Sequence, residues 1–158
     1  MAKKFLVALD KSSSSLKAID FVAGTINPSA QITLMSVVAD PAAACELKGP
    51  TELHPLLEEG LKDFCVIEEA KRAAAQGFLD EAKNKLVGAG FPAEHICVEL
   101  RSQEGDIAGD ILTEAARENY DAVIIGRRGM ADNKKYAFGS VSNKIIQHAE
   151  NLSIIVVD

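Results

Sequence analysis

Five short runs of aliphatic and β-branched residues punctuate this chain: FLVAL (Phe5 to Leu9), ITLMSVV (Ile32 to Val38), HICVEL (His95 to Leu100), AVIIG (Ala122 to Gly126) and SIIVV (Ser153 to Val157). They alternate little between apolar and polar, the pattern of strands buried on both faces, as in a parallel sheet. Parallel neighbours require long crossovers, and the intervening stretches have helical character. Helices are predicted from Ser12 to about Ile26, from about Val66 to Val87, from about Asp106 to Glu118 and from Ser140 to about Glu150. Gly88 and Gly90 supply stop signals for the second. This alternation predicts an α/β three-layer architecture with right-handed crossovers.

A length of 158 residues suits one hydrophobic core and is short for two, so residues 1–158 are read as a single domain. The segment 39–63, with Pro41, Gly49, Pro50, Pro55 and Gly60, is expected to form a variable flap or insertion after the second strand. A formal net charge of −6 argues against nucleic acid or an anionic membrane as the main partner, because binding phosphates needs clustered cations over a broad face. The apolar run in the opening MAKKFLVALD is too short for a secretory signal or a membrane span, which predicts a cytoplasmic protein. Cys45, Cys65 and Cys97 are odd in number and lack metal-ligand spacing, so reduced thiols are expected. His54, His95 and His148 are scattered, and no metal site is expected of them.

The stretch GRRGMADNKKYAFGSVS, Gly126 to Ser142, follows the fourth apolar run. Two familiar phosphate cradles fail against the sequence. A dinucleotide fingerprint needs GxGxxG after the first strand, where this chain reads LDKSSSSL, and no GxxxxGK[ST] loop occurs at the glycines. What remains is Gly126-x2-Gly129-x9-Gly139-Ser140. Gly126 ends a buried strand, where a ribose can lie against bare backbone. Gly129 is expected to permit a turn with positive φ. Gly139 and Ser140 open a helix whose unpaired amides and positive dipole end suit an anion. Ser140 and Ser142 add hydroxyls for a phosphate or for Mg²⁺ bound to it. A plain strand-exit turn with a serine cap would need only one glycine and one hydroxyl.

These residues resemble the universal stress protein family in its nucleotide-binding branch, whose signature G-x2-G-x9-G-[ST] is matched in spacing by Gly126, Gly129, Gly139 and Ser140. The likeness runs through the whole chain, from the first strand ending in Asp10 and followed by Ser12, through Ser36-Val37 of the second, to the closing apolar run. It implies a five-stranded parallel sheet of order 3-2-1-4-5 with ATP across the tips of strands one and four. By the same resemblance, Asp10 is an adenine-side carboxylate and Val37 holds the base. Gly126 meets the ribose, while Gly129, Gly139, Ser140 and Ser142 hold the phosphates. Arg127 and Val141, within the same loop and helix start, complete the candidate set. The pair Arg127-Arg128 departs from the family's usual small residue with a His or Arg; two cations there either meet a highly charged ligand or face water.

Asp10 also reads as a carboxylate that stabilises a helix start, the run Ser12 to Ser15 as that start with hydroxyls near the nucleotide, and Lys134 and Lys135 as a solvated loop tip. No HExxH, GxSxG or Walker B pattern argues for turnover. The expectation is therefore a cytoplasmic ATP-binding stress or signalling module, with ATP alone or with Mg²⁺, whose state another protein reads. A slow ATPase or self-phosphorylating enzyme and a nucleotide-free interaction protein are the alternatives. With order 3-2-1-4-5, the run Ser153 to Val157 lies at a sheet edge with no lysine or proline to blunt it. A homodimer through antiparallel fifth strands is expected there, an arrangement the family resemblance also implies.

Overall fold

The computed structural model describes residues 1–39, 55–129 and 137–158, with side chains of the second helix described from residue 59 onward. Cys45, His54, Lys134, Lys135 and most of the expected flap lie outside the described residues. Five parallel strands, β1 (Lys4–Ala8), β2 (Gln31–Val38), β3 (Ile96–Ser102), β4 (Ala122–Gly126) and β5 (Ser153–Val157), form one sheet of order β3-β2-β1-β4-β5. The described helices are α1 (Ser13–Thr25), α2 (Pro55–Gly88), α3 (Ile107–Arg117) and α4 (Ser140–His148).

Two apolar clusters make the three layers. Val7, Ile32, Leu34 and Ile124 point to the face covered by α1 and α2, whose buried side chains recur at helical spacing: Ala18, Ile19 and Val22, then Leu79, Ala82 and Leu86. Leu6, Met35, Val123 and Ile125 point the other way, against Ala108, Ile111 and Ala115 of α3 and Ile145 of α4. Neighbouring strand residues thus serve opposite faces, as the period of two requires.

Helix ends follow local chemistry. Ser12 caps α1, its Oγ accepting from the Ser15 amide at 3.2 Å, and Asp106 caps α3, its Oδ1 accepting from the Gly109 amide at 2.9 Å. Gly90, with φ of 103°, closes α2: its amide donates to the Val87 carbonyl and that of Phe91 to Leu86, while Phe91 and Leu86 bury together.

Two expectations are corrected. Residues 55–63 are not flap but the opening turns of α2, which begins eleven residues before the expected Val66. Pro55 at the first helical position lacks only an N–H that would be unpaired there, and Gly60 within a 34-residue helix costs only about 1 kcal/mol relative to alanine. Cys65 is disulfide-bonded, while Cys97 is a free, exposed thiol. An odd cysteine count leaves room for one bond and one free thiol.

Candidate functional site

Beside β1 the chain order of the sheet reverses, because β1 pairs with β2 on one edge and with β4 on the other. Crossovers diverge at that point, leaving a crevice at the carboxyl ends of the strands. There the structure holds a cavity of about 540 Å³, within the usual range for small-molecule sites. Ala8, Met35, Val37, Ile111 and Ile125 give it apolar walls, and Asp10, Ser36, Gly129, Ser140 and Ser142 bring polar groups.

Eight of the nine candidate residues line this cavity: Asp10, Val37, Gly126, Gly129, Gly139, Ser140, Val141 and Ser142. The start of α4 forms one wall. Its first intrahelical bond runs from the Asn143 amide to the Gly139 carbonyl at 2.9 Å, so the amides of Ser140, Val141 and Ser142 precede the helical ladder, at the positive end of the helix dipole. Gly139 is the cap residue and provides no side-chain bond.

The glycines are explained first by close approach. A Cβ on Gly126 would lie 2.6 Å from Cβ and 3.0 Å from the backbone carbon of Ser14, so the end of β4 can touch α1 only through a bare Cα. A Cβ on Gly139 would lie 3.2 Å from the Gly129 amide nitrogen and 3.3 Å from Cα of Arg128. The expected positive φ at Gly129 is not found; Gly90 is the described glycine that has one. The close neighbour of Gly129 is instead Asp10, since a Cβ on this glycine would sit 2.8 Å from Oδ2 of that side chain.

Asp10 accordingly joins two segments. Its Oδ1 accepts from the Ser12 amide at 2.8 Å and from Ser15 Oγ at 2.9 Å, which organises the start of α1, while its other oxygen faces the glycine turn. Ser142 is buried, and its hydroxyl donates to the Arg127 carbonyl at 2.7 Å. That hydroxyl braces the turn against α4, and its one proton is engaged. Ser140 is exposed at the rim.

Arg127 departs from its expected place. It does not line the cavity; its Nη1 donates to Asp158 Oδ2 at 2.7 Å and its Nε to the Ala137 carbonyl at 2.5 Å. Its amide continues the ladder to the Val157 carbonyl at 2.8 Å. A backbone that pairs with β5 carries the side chain toward the residue after β5, away from the crevice.

Several lining residues carried no signal in the sequence. Lys11 brings a cation to the rim from the opening loop, and Lys71, bonded to Glu68 at 2.8 Å, brings another from α2. Ile107 and Ile111 line it from α3 and Phe78 from α2. Lys71, Phe78, Ile107 and Ile111 sit on ordinary amphipathic helices, where cavity-facing and core-facing positions look alike. Among the described residues no group of three or more His, Cys, Asp or Glu side chains is placed to hold a metal ion, and no helix is long and apolar enough to cross a membrane.

Comparison with known proteins agrees with this architecture. Universal stress protein YxiE of Bacillus subtilis (strain 168) is 29% identical over 147 residues, covering 93% of each chain. The solved universal stress protein UspA from Lactobacillus plantarum superposes with a TM-score of 0.75 at 20% identity, over 99% of this chain and 97% of that one. A universal stress protein from Archaeoglobus fulgidus, solved in complex with dAMP, superposes with a TM-score of 0.62 at 17% identity, over 99% and 98% of the two chains. The family model for the universal stress protein family matches residues 1–157, and this chain belongs to that family.

Proposed function

We propose that this chain is an adenine-nucleotide-binding module that takes ATP in the cavity between β1 and β4, works as a homodimer through β5, and presents a nucleotide-dependent surface to another protein. The observation that carries the reading is the pairing of apolar walls at Val37, Met35 and Ile125 with the unladdered amides at the start of α4 in one cavity. A purine fits the first and an anionic phosphate the second. Ser140, at the rim, offers a hydroxyl to the phosphates or to Mg²⁺ carried by them. The dAMP complex of the Archaeoglobus fulgidus relative supports the adenine part of this reading. The reading treats residues 1–158 as one domain and gives the protein a cytoplasmic setting.

The test is a mass spectrum of small molecules released from the purified protein, followed by calorimetric titration with ATP, AMP and cAMP. Adenine nucleotide near one per chain, with ATP bound most tightly, supports the proposal. Failure of all three to bind would favour a nucleotide-free interaction protein. Phosphate release on prolonged incubation with ATP would instead make it a slow ATPase.

A further inference from the structure

A buried polar side chain is normally hydrogen-bonded, so an exception in the wall of a cavity points to a group supplied by a ligand. Among the described residues the buried polar side chains are Ser15, Thr33, Ser36, Glu68, Glu114 and Ser142. All but one have partners. Ser15 donates to Asp10, Thr33 accepts from Tyr120, Glu68 pairs with Lys71, Glu114 with Arg101 and Arg117, and Ser142 donates to the Arg127 carbonyl. Ser36 is the exception. It is 7% exposed and lines the cavity between β1 and β4, and its hydroxyl makes no hydrogen bond among the described residues.

The hydroxyl stands in a separate part of that cavity. β1 pairs with β2 as far as Ala8 opposite Met35, whereas β2 runs on through Ser36, Val37 and Val38 beside β3. The cavity therefore passes from one face of the sheet to the other beyond the end of β1. Met35, Val37 and Ile125 face α3 and α4, on the side of the amide-lined wall. Ser36 comes two residues after Leu34 and so faces α1 and α2, where Leu9, Val38, Ala75 and Phe78 make the lining apolar. Lys71 brings a cation to this side, but it is bonded to Glu68 at 2.8 Å.

We propose that Ser36 is the base-reading residue of this site: its hydroxyl hydrogen-bonds a polar atom on the edge of a purine that extends past the end of β1 toward α2. The inference rests on the adenine-nucleotide reading and adds to it the residue that selects a base with a hydrogen-bonding edge. A wholly apolar group would leave the hydroxyl unpaired in dry surroundings, which is costly. A phosphate placed there would desert the α4 amides on the opposite face. A hydroxyl donates and accepts, so either a ring nitrogen or the 6-amino group of adenine can complete it.

The test compares the unmodified protein with Ser36→Ala and Ser36→Cys. Each is titrated calorimetrically with ATP, AMP, inorganic triphosphate, and ATP analogues lacking N1, N3, N7 or the 6-amino group in turn. Both variants are expected to weaken ATP and AMP by the same factor, about five- to tenfold, because alanine has no hydroxyl and a thiol is a weak donor and acceptor. Affinity for inorganic triphosphate should change less than about twofold, since that ligand carries no base. The analogue without the partner atom should lose nothing further in Ser36→Ala, whereas the others should lose as much as ATP. The unfolding midpoint of nucleotide-free Ser36→Ala should match that of the parent, because the fold does not use the hydroxyl. A clear fall in that midpoint would overturn the proposal, as would equal losses for ATP and every analogue, which would reduce the effect to packing. Unchanged ATP affinity in Ser36→Ala would overturn the proposal and leave the adenine-nucleotide reading standing, with water as the partner of the hydroxyl. A parent protein that binds none of the adenine ligands would overturn both.

Discussion

Nη1 of Arg127 donates to Oδ2 of Asp158 across 2.7 Å, tying the first residue after β4 to the residue that follows β5. The same residue accepts from the Gly139 amide at 2.9 Å and from Ser142 Oγ at 2.7 Å through its carbonyl. Arg127 therefore braces the amide-lined wall of the cavity from behind. If it acts only in this way, Arg127→Ala should weaken ATP and AMP by the same factor, no more than about fivefold, because a partly exposed pair contributes no more than about 1 kcal/mol. Calorimetry with both nucleotides decides the matter. A loss for ATP much greater than for AMP would put the guanidinium on the outer phosphates.

Gly126 tests whether the glycine pattern is structural before it is functional. In Gly126→Ala the new Cβ falls 2.6 Å from Cβ of Ser14 and 3.0 Å from its backbone carbon, and α1 has to retreat from β4. Overpacking of this kind costs about 1–3 kcal/mol. Chemical denaturation without nucleotide should register that loss. Ser14→Gly should recover part of it but not all, since the backbone contact remains. An unchanged unfolding midpoint would show that the approach of α1 to β4 is looser than these distances.

At Gly139 the obstruction is in the turn. A valine there meets the Gly129 amide, which lies in the cavity wall, and Cα of Arg128 beside it, while the strands are untouched. Gly139→Val is expected to abolish ATP binding, with far-ultraviolet circular dichroism and cooperative unfolding retained. Unchanged affinity in calorimetric titration would remove the α4 start from the binding site.

How these positions read in the sequence follows from the range of the forces involved. Strands buried on both faces were legible from short apolar runs, which are local, and β4 and β5 fall on their expected residues, whereas the strand order is non-local and was implied by the family resemblance. The helix caps at Ser12 and Asp106 rest on bonds three residues long and were equally legible. Gly129 was expected to take a positive φ, which it does not; its close neighbour is Asp10, 119 positions away, and no spacing rule connects them. The role of Arg127 was hidden for the same reason, its partner being 31 residues downstream. Glu114 gave no sign because one glutamate on an amphipathic helix normally faces water; its burial is decided by Arg101, on a strand, and by Arg117.

Acid sensitivity should centre on the contacts of α3 and of β1 with their neighbours. The Asp106 carboxyl is held below its ordinary 3.8, first by the hydrogen bond from Lys144 of α4 and then by the Gly109 amide. Asp121 is likewise lowered, first by Lys3 and then by the Lys4 amide. A carboxyl with a lowered pKa in the folded state contributes stability that is complete above the unfolded value and disappears as pH falls through the lower folded value. Urea midpoints measured from pH 5 down to pH 2 should hold steady and then fall below about 3.8. Lys144→Met should make that fall shallower by removing the principal cause at Asp106. Parallel curves for the two proteins would show that this pair does not contribute.

The exposed edge at β5 gives the last prediction, and the ladder itself indicates which residue to change. Among the described residues β5 pairs with β4 alone, and the bond from the Arg127 amide to the Val157 carbonyl, with Val157 opposite Gly126, turns the polar groups of Val157 inward. In a parallel ladder alternate residues bond to the same side. Val156 and Ile154 therefore present their N–H and C=O to the open edge. Lysine at Ile155 or Val157 would be a poor probe, because both side chains pack against the α1 and α2 layer. Val156→Pro removes one outward N–H and leaves the bonds to β4 in place, and proline is tolerated on an edge strand in that orientation. If the homodimer forms through antiparallel fifth strands, the variant should dissociate at least about tenfold more readily, since the two-fold axis removes the lost bond from both chains at once. Sedimentation equilibrium at micromolar concentration makes the comparison. A monomeric parent protein, or an equally stable dimer in the variant, would rule out pairing through β5.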